Sequence, residues 1–500
     1  DETVKFPDFL DDPIYYHNRG ESIFSGENSL YGDFFGLDDL WTEHPAVQDG
    51  LIQVFKDMVT DFDIDGFRID TVKHVNDEFW HAFGPELEAH AAALGKPDFF
   101  MFGEIFDSNP AATSRFSTEL PLDAVLDFGF QSAALGFASR SAATDQLRDF
   151  YASDDLYTDT DSNASALPTF LGNHDMGRVG LFITQDNPGA PDAELLARDE
   201  LAHALMYFGR GMPVIYYGDE QGFVGDGGDK DARQDMMPSL VPSYNDDDNI
   251  GTSASPADDN FDVTHPLYET LADFGALVAA HPALRQGAQL HRYSESGAGI
   301  YAFSRIERTE RIEYVVALNN SEAADSATFD TDSPSTTFTE IWPGSGATVT
   351  ADASGNLTVD VPALGIKVYR ADAEIGAPGI APVVTMTAPA AGAELLGRNE
   401  VAASLSSSAF TEVTFAISVD GAPFEPFGTD DNAPYSVFYD VSELAPGTPL
   451  VFKAIADNMS GSISSDKVAV TVGAEEPPVV GGFDYAVVHY NRPAGDYGDH

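Results

Sequence analysis

Residues 65–74 of the chain read DGFRIDTVKH. GFRI has the texture of a short strand, and Arg68 precedes Asp70 by two positions, which puts both side chains on the same face of it. A fixed guanidinium beside Asp70 would keep its carboxylate ionised. Lys73 and His74 follow closely, so an Arg, an Asp, a Lys and a His fall within seven positions. A buried strand leading into a helix, with Asp70 as a simple N-cap, accounts for part of this pattern. The floor of an active site accounts for all of it, and the surrounding sequence decides between the two.

Upstream, AVQDGLIQVFKDMV (46–59) places Val47, Leu51, Ile52, Phe55, Met58 and Val59 on one helical stripe. Thr42 and Pro45 stand where a cap and a first-turn proline belong. Downstream, a helix is expected from about Asn76 to Leu94. Strand candidates follow in DFFMFGE (98–104), AVLDFGF (124–130), PTFLGN (168–173) and MPVIYYG (212–218). Helix-favouring segments such as ELLARDELAHALMYF lie between them. Strands alternating with helices predict a parallel sheet with crossover helices.

Three carboxylates follow these strands closely: Asp70, Glu104 and Asp175. Their spacings suit one βα unit and then two, at roughly 30 residues per unit. In a (β/α)8 barrel such strand ends converge on one mouth, where catalytic groups sit. Clustered carboxylates serve glycoside hydrolysis: one attacks the anomeric carbon, a second protonates the leaving oxygen and later activates water. A third stabilises the oxocarbenium-like transition state. Taken singly, Glu104 reads as a solvated loop acid, NHD (173–175) as a polar turn and His174 as a core histidine. Their order and strand-end placement together favour the site.

These motifs resemble the α-amylase family of glycoside hydrolases. DGFRIDTVKH is similar to its fourth-strand motif, FGEIF (102–106) to its fifth, FLGNHD (170–175) to its seventh and GMPVIYYGDE (211–220) to its eighth. GLDDLW (36–41) resembles the motif that ends the family's calcium-linked excursion. The resemblance covers roughly residues 1–372. It implies that Asp70 is the nucleophile, Glu104 the general acid/base and Asp175 the transition-state stabiliser. It places Arg68 and His174 at the cleaved sugar, and Lys73 and His74 on the leaving side. It also implies a Ca²⁺ held by Asp39 and the His74 carbonyl, hard oxygen ligands of the kind that ion prefers. The family's first motif, Asp-x-x-x-Asn-His, is absent, with whatever would form strands one to three. VVHYNRPAGDYGDH (487–500) resembles the opening of a starch-binding module. Both ends therefore read as cut, and a chain of residues 1–500 alone is expected to be inactive.

The fold expected is thus α/β: the C-terminal part of a (β/α)8 TIM barrel over residues 1–285, from before strand four to strand eight. From about 286 the texture is all-β, giving a sandwich over 286–372. EIGAPGIAPV (374–383) reads as a linker, residues 383–473 as an Ig-like sandwich serving as a spacer, and 482–500 as a truncated module. The acidic run GDGGDKDARQD (225–235) lacks the EF-hand order and reads as a solvated loop near the cleft, with a second calcium as the alternative.

Composition narrows the partner. Of 500 residues 25 are Lys or Arg and 82 are Asp or Glu, a formal charge of -57. That field repels nucleic acid and anionic lipid and suits a neutral substrate or a salty habitat. With no cysteine there is no disulfide or thiolate metal site, and no apolar run approaches the roughly 20 residues of a membrane span. The expectation is a secreted, monomeric, retaining hydrolase of α-1,4 bonds in starch- or glycogen-type α-glucans. An α-1,6-acting or glucan-transferring relative is the first alternative, and a non-catalytic carbohydrate-binding protein the second.

Overall fold

A computed structural model describes residues 5–407, 409–460 and 462–474. The expected module at 482–500 lies outside them. Among the described residues five short parallel strands carry the α/β part: β1 (Gly66–Ile69), β2 (Phe100–Gly103), β3 (Ala124–Val125), β4 (Pro168–Phe170) and β5 (Met212–Val214). They pair as β1-β2-β3 and β4-β5, in registers such as Ile69 with Gly103 and Phe170 with Val214. The Asp127 N–H donates to the Pro168 carbonyl at 3.0 Å and links the end of β3 to the start of β4.

The helix before β1 runs Pro45–Phe62, its N-terminus capped by His44, whose Nδ1 accepts from the Ala46 N–H at 3.1 Å. Thr42 is not the cap; its hydroxyl donates to Asn76 Oδ1. The next helix, Asp77–Ala93, begins where expected, with Phe79, Trp80, Phe83 and Leu87 buried. The strand expected over 124–130 is only two residues long. Asp127 ends it by accepting the Phe130 N–H at 2.7 Å, which starts a helix at Phe128–Ala134. A short polar side chain bonding the backbone ahead of it wins there over the apolar pattern.

The second unit is antiparallel, with strands β6 (Ala288–Tyr293), β7 (Ile300–Ile306), β8 (Glu313–Asn319), β9 (Asp325–Asp330), β10 (Thr337–Trp342), β11 (Thr348–Thr350), β12 (Asn356–Val361) and β13 (Ile366–Ala371). Six form a sheet in the order β11-β10-β13-β8-β7-β6, and β12 pairs with β9. Every residue of β7 and β8 is buried. Leu205, Phe208 and Phe274 of the α/β part share one core with Phe303, Val316 and Phe338 of this sandwich. A continuous apolar core makes the two units one packed body.

The third unit is a β-sandwich of a three-stranded and a five-stranded sheet with its own core, which includes Val401, Phe415, Val437 and Phe452. It is docked, not free. Arg398 donates to the Leu156 carbonyl at 2.5 Å, and Ser436 Oγ donates to Asp155 at 2.8 Å. Residues Thr429–Asn432 line a cavity of about 780 Å³ together with Asn163–Ser165 and Gly211–Pro213, at the end where β4 and β5 begin. The catalytic carboxylates expected from sequence sit at the other end.

Candidate active site

β1 and β2 lie side by side, so residues just past their carboxyl ends meet. The Glu104 N–H donates to the Ile69 carbonyl at 2.7 Å, and the Val72 N–H to the Glu104 carbonyl at 3.2 Å. Between them Thr71 adopts a left-handed conformation (φ 52°), rare for a β-branched residue. That turn presents the Thr71 N–H to Glu104 Oε2 at 3.3 Å. Asp70 is the turn residue after β1 and caps no helix.

Arg68 points to the same face as Asp70 and spans both acids: Nη1 is 3.1 Å from Asp70 Oδ1, and Nη2 3.4 Å from Glu104 Oε2. The carboxyls are within hydrogen-bonding reach of each other, and their environments push them apart. Burial first, and then the bond to Asp70, push Glu104 up to about 7. The hydrogen bond from Glu104, followed by the charge of Arg68, holds Asp70 below the usual carboxylate range. One acid held protonated beside one held ionised is the division of roles that acid/base and nucleophilic work require.

The NHD segment follows β4. Asn173 Oδ1 accepts the N–H groups of Asp175 (2.9 Å) and Met176 (2.8 Å), so it is the polar turn its composition suggests, and it presents an acid. His174 Nε2 is 3.0 Å from Asp175 Oδ2. His174 also lies near enough to Asp70 to act on its carboxyl, so the β4 and β1 turns face one site. Lys73 Nζ donates to the Phe106 carbonyl at 2.7 Å, and His74 Nδ1 faces the Ser29 carbonyl at 3.0 Å.

Asp39 contacts His17 Nδ1 at 2.5 Å, and His17 Nε2 lies 2.8 Å from Glu43. Burial opposes a charged His17, but the bonds to Asp39 and Glu43 prevail and raise its pKa. His17 thus stands between Asp39 and Glu43 and bonds both carboxylates. The Asp39 carboxylate and the His74 carbonyl would supply two of the six to eight oxygens that Ca²⁺ takes, so among the described residues this pair is an incomplete calcium sphere. Among the described residues, Asp226, Asp246 and Asp247 converge closely enough for a cation. Burial, then the charges of Asp226 and Asp246, push Asp247 up to about 6.

The segment 225–235 lies beside the site with Asp226, Asp229, Lys230, Arg233 and Asp235 exposed, but it is anchored from within. Ala232 and Gln234 are fully buried, and the segment packs on the site. The Asp229 N–H donates to the Asp175 carbonyl at 3.2 Å, and Arg233 Nη2 is 3.0 Å from Asp229 and 3.6 Å from Asp175 Oδ1. Arg233 is a site residue that the sequence reading missed. Its only signal was one arginine amid four aspartates and three glycines, which carries no period.

A parallel βα layer with a split carboxylate pair and a third acid at its strand ends has the arrangement of a (β/α)8-barrel active site. Three family profiles match the chain: "Alpha amylase, catalytic domain" over residues 11–255, "Alpha amylase, C-terminal all-beta domain" over 293–372 and "Bacterial Ig domain" over 382–449. An alpha-amylase of Streptomyces lividans is 45% identical over 93% of the chain and 51% of its own length. A cyclomaltodextrin glucanotransferase of Bacillus licheniformis is 28% identical over 69% of the chain and 42% of its own length. The solved structure of an Anoxybacillus alpha-amylase superposes with a TM-score of 0.59 at 25% identity, covering 74% of this chain and 73% of that one. The chain belongs to the α-amylase family of glycoside hydrolases. It spans about half the length of the Streptomyces relative. No helix among the described residues is long and apolar enough to cross a membrane.

Proposed function

We propose that the protein is a secreted, retaining α-glucan hydrolase that cleaves α-1,4 bonds. The observation that carries this reading is the Asp70–Glu104 pair, bridged by Arg68 and split in proton affinity. Asp70 attacks the anomeric carbon and forms a glycosyl ester. Glu104 gives its proton to the departing oxygen, then takes one from the water that cleaves the ester. Asp175 faces the positive charge that develops on the sugar ring. Arg68 keeps Asp70 ionised, His174 stands beside Asp175, and Lys73 and His74 lie on the leaving-group side of Asp70. Carboxyls within hydrogen-bonding reach belong on the close, retaining side of the division between about 5 Å and about 6.5–9.5 Å.

The glucanotransferase relative favours one second reading, transfer of the glycosyl unit to another sugar. The same covalent ester serves both, and only the acceptor differs. Proton NMR of the first product formed from a maltooligosaccharide by the full-length protein tests the reading. A new reducing end in the α-configuration is expected. A β-configured first product would show inversion, and a product longer than the substrate would favour transfer.

A further inference from the structure

Arg178 follows Asp175 by three residues, and its side chain is wholly buried. Nη1 donates to the Tyr217 carbonyl at 2.7 Å and to Asp219 Oδ1 at 3.1 Å, while Nε donates to Gln234 Oε1 at 2.6 Å. The guanidinium lies 4.6 Å from the centre of the Tyr216 ring and 5.0 Å from that of Phe223. A buried cation is costly unless paired and bonded, and here every protein partner belongs to one segment. Tyr217 and Asp219 stand at its start, just past β5, and Gln234 at its end.

Between those anchors the segment returns to Asp175. A Cβ on Gly228 would collide with the Asp175 carbonyl oxygen, so backbone packs directly on backbone. Asp229 bonds that same carbonyl, and Arg233, the neighbour of Gln234, approaches the Asp175 carboxylate. The chain thus leaves Asp175, places a guanidinium three residues on, and uses it to clasp both ends of the segment that closes over Asp175.

We propose that Arg178 is a positioning residue: by clasping Tyr217–Asp219 and Gln234 it fixes Gly228, Asp229 and Arg233 against Asp175 and so sets the place of that carboxylate at the site. The inference rests on the role given to Asp175 above. An arginine serving only as a core ion pair would matter to stability and leave the rate of the folded enzyme alone. A positioning arginine matters to kcat, and only while Asp175 can act.

Gln234→Met removes the Nε acceptor at nearly constant volume and leaves the Arg178–Asp219 pair in place. In the full-length protein, with an aryl α-maltooligoside as substrate, it is expected to lower kcat about tenfold or more with KM within about twofold, since a misplacement of about 1 Å costs on the order of a hundredfold. In an Asp175→Asn background the same change is expected to cost less than about twofold, because effects that act through one residue are not additive. Gln234→Glu, which restores the acceptor for Nε but not the donor to the Asp231 carbonyl, is expected to recover part of kcat. If Gln234→Met does not fold, Gln234→Asn, too short to reach Nε, enters the same cycle. An equal loss in both backgrounds, or no loss in either, overturns the positioning role alone. An Asp175→Asn enzyme with undiminished kcat overturns both this inference and the reading of Asp175.

Discussion

Glu104 and Asp70 lie under one guanidinium, yet their environments differ. Glu104 is buried against the Thr71 turn, and Asp70 stands open on the rim. Its proton should leave Glu104 near pH 7, while Asp70 takes one only below the ordinary carboxylate range. The pH profile of kcat/KM is therefore expected to be a bell whose alkaline limb falls near 7. In Glu104→Gln the residual activity should lose that limb, as steady-state rates from pH 4 to 9 would show; a limb that persists there belongs to another group. The grouping of the three acids, Arg68 and His174 was legible in the sequence because Arg68 lies in β1 two residues before Asp70 and the others follow strands, where a two-residue spacing or a strand end fixes direction. Arg233 and Arg178 were not. They act through a long segment after β5, and no local periodicity reports which carboxylate such a segment folds over.

Among the elements, β3 shows where pattern reading fails and why. AVLDFGF is apolar enough for a strand, but the Asp127 side chain turns the backbone after two residues. Asp127 also binds the buried Arg210, which a second carboxylate, Asp154, holds at 2.6 Å. One side chain thus ends a strand, caps a helix and neutralises a core cation. Asp127→Ala is expected to destabilise the α/β part by about 3 kcal/mol or more, because breaking a buried pair leaves an uncompensated charge. Urea titration followed by tryptophan fluorescence reports it, since Trp41 and Trp80 both lie in that part. A loss below about 1 kcal/mol would mean that Asp154 alone satisfies Arg210. The long helices, by contrast, were readable within a few residues from their apolar stripes and prolines.

At the scale of the whole molecule, nothing in the sequence announced that the Ig-like unit docks on the α/β part. The contact joins residues such as 155 and 436, far apart in the chain and in no shared pattern. It is an acidic contact. Ser436 donates its hydroxyl to Asp155 and its N–H to Asp430, both buried. Burial above all pushes Asp155 up to about 7, and Asp154, Asp431 and Glu400 add like charge. A carboxyl whose folded pKa is raised binds its proton more tightly in the folded protein. Its penalty is absent below the ordinary carboxylate range, grows as pH rises, and is complete above about 7. Asp155→Asn keeps an acceptor for Ser436 and removes the titration. It should melt with the wild type at pH 4 and a few degrees above it at pH 8, by calorimetry. Equal melting at both values would show that Asp155 stays ionised at no cost.

Every role assigned at the site follows from an ester formed at Asp70. Glu104→Gln keeps the nucleophile and lacks the general base, so with α-maltosyl fluoride, which needs no acid to depart, the first step proceeds and the second stalls. Intact-mass analysis of the full-length Glu104→Gln protein, followed by peptide mapping, is expected to find one glycosyl group on the peptide that contains Asp70, and none in Asp70→Asn. A label on another carboxylate, or its formation in Asp70→Asn, would contradict the roles assigned to the pair.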